Sequence, residues 1–116
     1  MASNSVSPLL PLGQIVATSG VNFRMKDNAD FMDVCMKSIL RHSTGDFGVI
    51  SENDTEANMM ELQEGCLKHG GGRVLSRYHT DGHPDDDDTF YEGDIFIQTY
   101  NEQGTVYTVI MLTDEY

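Results

Sequence analysis

The sequence predicts a single α+β domain in which two helices pack on one face of an antiparallel sheet. Three observations indicate this class. Apolar residues recur at helical spacing in the middle of the chain, the last third is rich in β-branched and aromatic residues, and glycine-rich segments separate these regions. The predicted order is β-α-α-β-β-β, and 116 residues are enough for one modest core.

Residues 1–11 are predicted to form a flexible N-terminal arm, because most of their side chains are small or polar and prolines interrupt the segment. The folded domain is then expected to span residues 12–116. Its first strand is indicated by the apolar run from Gln14 to Thr18, which is followed by the turn residues Ser19 and Gly20.

Two helices are expected in the middle of the chain. Apolar residues spaced three and four apart predict the first over about residues 30–42, after capping residues at 27–30. The second is expected to start near Ser51, where Asn53 and Glu56 resemble a capping box, and to end at the glycines 70–72.

The period of the pattern changes after the second helix. Three segments rich in Val, Ile, Thr, Tyr and Phe predict strands at 73–78, 94–100 and 105–112. In the middle one of these, Ile95, Ile97 and Thr99 are expected to share one face of the sheet. Residues 101–104 predict a hairpin turn between the last two strands.

Charge is distributed unevenly along the chain. Residues 1–77 carry all seven basic side chains and nine acidic ones, whereas the last 39 residues carry ten carboxylates and no Lys or Arg. The net charge is −12. Such a surface repels nucleic acid and anionic lipid and attracts cations or a basic protein. We therefore expect a protein partner and neither direct nucleic-acid binding nor a membrane.

Composition indicates a cytoplasmic protein. No apolar run approaches the roughly 20 residues that a membrane span needs, and no secretory signal is recognisable. Cys35 and Cys66 lie among apolar neighbours in predicted helices, so we expect reduced, buried thiols, with a disulfide between them as the alternative. No CxxC pair is present to indicate structural zinc, and no cofactor motif is recognised.

The acidic insert, residues 79–94, lies between the second and third predicted strands and has three interpretations. It is a solvated loop of like charges, a loop that docks on a basic protein surface, or a metal site. The docking interpretation assigns partner binding to six carboxylates: Asp85, Asp86, Asp87, Asp88, Glu92 and Asp94.

A metal site would use the twelve residues 81–92, which have the length of an EF-hand loop. The segment lacks the glycine of the sharp turn, and strands are predicted on either side of it, so an EF-hand is not indicated. His79 beside His83 and carboxylates leaves a transition metal open. The candidate ligands are Asp81, His83, Asp85, Asp87 and Glu92.

A second polar cluster follows the first predicted helix, at residues 41–48. A histidine beside a carboxylate can act as a general base, so His42 and Asp46 are the candidate catalytic residues of a small hydrolase or nuclease. No nucleophile accompanies them, and no complete catalytic motif is present. In the alternative, His42 caps the helix end, Asp46 binds backbone amides and Phe47 fills the core.

Five segments together carry a resemblance. They are LGQIVAT at 12–18, RHSTGDFG at 41–48, D-x-x-x-N at 54–58, GRVLSRY at 72–78 and YTVIMLTDEY at 107–116. With these segments the chain resembles, over about residues 12–116, a family of short uncharacterised proteins carried on bacterial plasmids, integrative elements and phages. Some members are labelled restriction-system subunits, but no methyltransferase or nuclease motif is present here. In similar sequences a short turn joins the second and third strands, so the acidic insert departs from the pattern.

The genetic setting of that family implies a function. Small acidic proteins of mobile elements often neutralise host defences, either by mimicking the charge of DNA or by docking on a basic nucleic-acid channel. In such mimicry carboxylates take the place of phosphates, which are spaced at about 1.7 Å per charge. The resemblance therefore implies an anti-CRISPR or anti-restriction inhibitor that binds the basic, nucleic-acid-binding surface of a host defence protein. The main alternative is a self-associating structural or regulatory module, a homodimer formed through an exposed sheet edge such as the strand ending near Tyr116. An enzyme built on His42 and Asp46 is the third reading.

Overall fold

The computed structural model describes residues 10–64 and 72–116, and these form a mixed α+β fold with three helices and a four-stranded sheet. The elements are β1 (Gln14–Ala17), α1 (Ser19–Lys26), α2 (Ala29–Ser43), α3 (Glu52–Glu64), β2 (Arg73–Tyr78), β3 (Ile95–Glu102) and β4 (Thr105–Leu112), followed by a 3-10 turn at Thr113–Glu115. The α+β class is as predicted, and strands form in all four segments where the pattern placed them. The hairpin between β3 and β4 also forms as predicted, with positive φ at Gln103 and Gly104.

The strands lie in the order β1-β4-β3-β2, and the sheet is not wholly antiparallel. The pairs β2–β3 and β3–β4 are antiparallel, whereas β1 runs parallel to β4. The prediction was wrong on this point because residue alternation is the same for either strand direction, and the connection through the helices decides it. Because β4 lies between β1 and β3, the strand ending near Tyr116, which the self-association hypothesis gave as its example, is not a sheet edge.

The predicted count of two helices is also wrong, because α1 forms where a turn was expected. The Thr18 side chain accepts a hydrogen bond from the Val21 amide and caps this helix. With a single buried residue, Val21, α1 carries too short an apolar stripe to be recognised from periodicity. At α3 the capping residue is Ser51, whose hydroxyl accepts from the Asp54 amide at 3.1 Å, and not Asn53. Among the described residues, no helix combines the length and apolarity needed to cross a bilayer.

Helices α1 and α2 bury some of their apolar residues against one face of the sheet. Val21, Phe31 and Cys35 form a core cluster with strand residues that include Ile95 and Ile97. Thr99 is buried on the same face, as the alternation predicted. A second cluster joins residues from outside the sheet to β2: Leu10, Phe47 and Val74.

Some expectations fall on segments that the structure does not describe. Residues 1–9 of the predicted arm, Cys66 and most of the glycine run at 70–72 lie outside the described residues. Of the arm, Leu10 is described, and its side chain is buried.

The outer edge of β2 is covered at Leu75 and Arg77. The Asn58 side chain of α3 donates to the Leu75 carbonyl at 2.7 Å and accepts from the Leu75 amide at 3.1 Å. The Arg77 amide donates to the Phe47 carbonyl at 3.1 Å, and the Val49 amide donates to the Arg77 carbonyl at 2.7 Å. These contacts take up the backbone groups with which an edge strand would otherwise pair with another chain.

Candidate functional site

The acidic insert is closed at its base by a buried pair, His79 and Asp94. His79 Nδ1 lies 2.8 Å from Asp94 Oδ2, and His79 Nε2 lies 2.6 Å from the backbone oxygen of Asp87. Both oxygens accept hydrogen bonds, so only the doubly protonated ring satisfies both contacts at once. Burial lowers the pKa of His79, but these two hydrogen bonds outweigh burial and leave the pKa above its ordinary value. The imidazolium ring of His79 thus connects Asp87, in the middle of the insert, to Asp94, at its base, by hydrogen bonds.

Arg77, on β2, binds the backbone of the insert at Asp88 and Thr89. Its Nη2 donates to the backbone oxygens of Asp88 at 3.2 Å and Thr89 at 2.9 Å. The Phe90 ring lies over the guanidinium, with 3.9 Å between the Arg77 Cζ atom and the ring centroid. Arg77 is only 5 % exposed, and within the described residues its Nε has no hydrogen-bond partner.

Arg41, at the end of α2, joins the insert to the loop that follows this helix. Its guanidinium forms a two-pronged ion pair with Asp46, with Nε–Oδ2 2.7 Å and Nη2–Oδ1 3.0 Å, and Nη2 also pairs with Asp85. The hydrogen bond from Arg41 holds the pKa of Asp46 below its usual range. Asp46 also accepts from the Gly48 amide at 3.3 Å.

Asp87 is used within the insert itself. The Tyr91 hydroxyl donates to Asp87 Oδ2 at 2.5 Å, and the Thr89 amide donates to Oδ1 at 3.1 Å. Hydrogen bonds from Tyr91 and then Thr89 lower the pKa of Asp87 to about 2. His83 stacks on the Tyr91 ring at 3.7 Å between centroids. The insert is therefore a loop with a fixed internal structure.

The six carboxylates predicted to bind a partner are not equivalent. Asp86, Asp88 and Glu92 are exposed, and Asp85 is exposed while paired with Arg41. Asp87 is half-buried. Asp94 is fully buried, because it closes the base of the insert, so it takes no part in the exposed set. Its Oδ1 has no hydrogen-bond partner within the described residues.

The five predicted metal ligands are not brought together. Within the described ranges, no group of three or more His, Cys, Asp and Glu side chains is arranged to hold a metal ion. Asp85 is engaged by Arg41, Asp87 by Tyr91, and His83 stacks on Tyr91. Asp81 and Glu92 are exposed at the other end of the insert.

His42 and Asp46 are also kept apart by their partners. Asp46 faces Arg41, whereas His42 is fully buried with Nδ1 2.5 Å from the Ser76 hydroxyl and Nε2 2.9 Å from the Thr99 hydroxyl. A general-base role on this pair is therefore not supported. The alternative is confirmed for Asp46, which accepts a backbone amide, and for Phe47, which is buried, but His42 belongs to the core and is no surface cap.

The contacts of His42 continue through the sheet as one chain of hydrogen bonds. Thr99 and Thr108 hydroxyls lie 2.7 Å apart, and Thr108 donates to the Leu12 carbonyl at 2.7 Å. Because a carbonyl can only accept, Thr108 accepts from Thr99 and Thr99 accepts from Nε2–H of His42. In a neutral ring Nδ1 then carries no proton and accepts a hydrogen bond from the Ser76 hydroxyl. All groups are then satisfied with a neutral ring. Burial lowers the pKa of His42 to about 4, in agreement with the neutral form.

A groove of about 790 Å³ separates the acidic insert from the start of α3. Its apolar lining includes Ile50, Leu75, Phe90 and Phe96. Its acidic lining consists of Glu52 and Asp54 on the α3 side and Asp85, Asp86 and Asp88 on the insert side. Arg77 also lines it and, among the residues that the structure describes, is the one basic residue that does so. The groove therefore combines an apolar interior with acidic walls.

Sequence reasoning missed Arg77 and Phe90 as members of this site. Each breaks its local pattern, since Arg77 is a cation on a predicted strand and Phe90 is an aromatic residue directly after a run of acids. The sequence does not bring these two residues together with Glu52 and Asp54, because the site depends on how the insert folds back over β2.

Comparisons with known proteins give no relative: no protein-family model, no curated protein and no solved structure matches the chain. The resemblance to the mobile-element family therefore stays a prediction.

Proposed function

We propose that this protein is a cytoplasmic accessory protein of a mobile element that binds and inhibits a host defence protein, of the anti-CRISPR or anti-restriction kind. The acidic insert docks on the basic, nucleic-acid-binding surface of that protein. One observation carries the proposal: three side chains with basic groups, His79, Arg77 and Arg41, hold the insert in place while Asp86, Asp88 and Glu92 stay exposed.

A solvated loop of like charges would not need such ties. Carboxylates that repel one another favour an extended, mobile segment, and fixing them costs conformational entropy. In the free protein, the hydrogen bonds from His79 and Arg77 to the insert backbone offset this loss of entropy. A partner with basic side chains then meets carboxylates that are already in place, so less free energy is lost on binding.

The sign of the charge selects the class of partner. At a net charge of −12, direct binding to nucleic acid is opposed by repulsion from its phosphates. A basic groove that normally holds nucleic acid attracts the same surface, and long-range attraction speeds the encounter. Inhibition by occupying such a groove needs no catalytic residue, which agrees with the separation of His42 from Asp46.

The proposal is tested by removing two exposed charges of the insert. In the double variant Asp86→Asn, Asp88→Asn, we expect inhibition of DNA cleavage to weaken by about tenfold or more and to depend less on salt. The measurement is cleavage by a panel of restriction enzymes and CRISPR effectors, titrated with the protein at several salt concentrations. The matched control, Glu102→Gln with Asp114→Asn, removes the same charge from exposed positions outside the insert.

Two results would contradict the proposal. The first is a parent protein that inhibits no member of the panel. The second is a double variant that inhibits as strongly as the control variant at every salt concentration.

A second candidate function is self-association through β1. This strand lies at the edge of the sheet, and Ile15 and Val16 are 48 % and 40 % exposed. An edge strand with exposed aliphatic side chains can pair with a second copy. The oligomeric state in solution separates this candidate from the first.

A further inference from the structure

We propose that the groove between the acidic insert and α3 is an anchor site for a basic peptide segment of the partner, with an aliphatic side chain set between its cations. The inference rests on the proposed function and names the part of the partner that the acidic surface recognises. Charge alone would require only the exposed carboxylates. The groove adds an apolar interior and a buried hydrogen-bond donor.

The apolar interior gives the first part of the argument. Leu75 and Phe96 come from the sheet face opposite α1 and α2, and Phe90 comes from the insert. Phe90 is 68 % exposed, so a large aromatic surface faces solvent at the position where the groove is most acidic. An aliphatic side chain placed here would remove apolar surface from water on both sides of the contact.

The acidic walls determine the charge of the occupant. Glu52 and Asp54 lie on one side, and Asp86 and Asp88 lie on the other. Within the described part of the chain, none of these four carboxylates has an ion-pair partner. A segment that carries cations on both sides of its apolar residue would match both walls, which is why a peptide with only one charge or with no apolar residue fits less well.

Arg77 provides the observation that is independent of the acidic cluster. It lines the groove, is 95 % buried, and its Nε lacks an acceptor among the described residues. A buried donor without a partner is unfavourable, and a peptide carbonyl is the acceptor that a bound segment brings. The Phe90 ring, which also lines the groove, lies over the guanidinium, with 3.9 Å between the Arg77 Cζ atom and the ring centroid.

The binding mode follows from the covered edge of β2. Asn58, Phe47 and Val49 already occupy the backbone groups of Leu75 and Arg77 on that side. The segment therefore does not add to the sheet as a further strand. It binds through its side chains and one carbonyl group, and its recognition depends on the apolar residue and the cations.

The experiment uses two short fluorescent peptides with the same arginines. One carries leucines between the arginines, and the other carries serines. We expect the leucine peptide to bind the full chain about tenfold more tightly by fluorescence anisotropy, because a buried leucine adds the hydrophobic contribution. Phe90→Ser should remove that difference, whereas Phe23→Ser, which changes a phenylalanine 75 % exposed on α1, should leave it unchanged. An unchanged NMR signal of the His79 ring shows that the insert of the Phe90 variant is intact.

The outcomes separate the inference from the proposed function. The groove proposal is contradicted if both peptides bind equally or if the leucine peptide does not bind. It is also contradicted if the two phenylalanine variants have the same effect. If Asp86→Asn with Asp88→Asn still weakens nuclease inhibition in that case, the acidic insert keeps its proposed role. Loss of both effects overturns the groove and the proposed function together.

Discussion

Two buried histidines have opposite protonation states because their neighbours differ. His42 faces one hydroxyl that donates to it and one that accepts from it, so a neutral ring satisfies both. His79 faces a carboxylate and a carbonyl, both of which accept, so a cation is required. A neutral histidine thus connects hydroxyl groups in the core, whereas a protonated histidine holds the insert by hydrogen bonds to a carboxylate and a carbonyl.

The first prediction concerns the tie at His79. Its pKa is raised in the folded protein, so its contribution to stability is complete below the ordinary value of 6.5 and is lost as pH rises through the folded value. Groups that face the ring are Asp94, Asp87 and Tyr91, with Arg77 opposing the charge. We expect the protection of the insert amides from exchange, measured by NMR relative to the intrinsic exchange rate at each pH, to fall above that pH. A His79 ring that titrates below 6.5 contradicts the assignment.

The second prediction concerns His42, whose folded pKa of about 4 lies below the ordinary 6.5. Above pH 6.5 the ring is neutral in both states and pH has no effect through it. As pH falls toward 4, the unfolded state takes up the proton first, and the free energy of unfolding falls by about 3 kcal/mol. Urea unfolding of the parent and of His42→Gln at several pH values isolates the contribution of His42. The carboxylates titrate in both proteins, so their effect cancels in the difference. A constant difference between the two proteins would contradict it.

Among the elements, α3 stabilises the sheet through a side chain more than through its own apolar stripe. Asn58 is buried within an otherwise largely exposed helix, and its amide group continues the hydrogen bonding of β2 beyond the strand edge. A carboxamide carries one acceptor and a donor group side by side, as a peptide does, so it can pair with both backbone groups of one residue. The two hydrogen bonds between Asn58 and Leu75 therefore both position α3 against the sheet and cover the outer edge of β2 at Leu75.

The third prediction removes that contact. Asn58→Ala leaves the Leu75 amide and carbonyl without their partner, so we expect the free energy of unfolding to fall by about 2 kcal/mol or more. Chemical denaturation measures the loss, and amide exchange at Leu75 should accelerate. The control is Asn53→Ala on the same helix, where the side chain is exposed and a change within about 0.5 kcal/mol is expected. Because alanine favours a helix more than asparagine does, helix propensity would act in the opposite direction, and similar losses in both variants would contradict a specific role for the Asn58 contact.

At the scale of the whole molecule, the charges are arranged by the fold. Of the basic residues in the first two-thirds of the chain, Arg41 and Arg77 face the insert and bond to it. The excess negative charge is then left on the exposed insert and on α3. A near-neutral part of the chain therefore serves as the support for a strongly anionic one.

The fourth prediction is the oligomeric state. If the proposed function holds, we expect a monomer, because repulsion between copies with a net charge of −12 opposes association. Light scattering across protein and salt concentrations measures the mass. A dimer that persists on dilution would favour the β1 edge, and Val16→Lys, which adds a charge to that strand, should then dissociate it.

The local features of this fold could be read from the sequence. The four strand segments, α2 and the hairpin at 101–104 each follow from residues that are near one another in the chain, as do the burial of Ile95, Ile97 and Thr99 on one face. Alternation, helical spacing and turn residues report on the backbone directly, because each depends on local geometry. The acidic character of the insert was evident for the same reason.

What the sequence by itself determined was therefore the class of fold and the sign of the charge on the insert. Only the tertiary structure decided the direction of β1, the burial of Asp94, the pairing of Asp85 with Arg41 and the neutral state of His42. Each of these depends on a partner distant in sequence, and no periodic pattern records which distant partner a polar side chain will meet. Hydrophobic burial is additive and non-directional, whereas hydrogen bonds and ion pairs require a particular geometry, so the assembled fold alone fixes them.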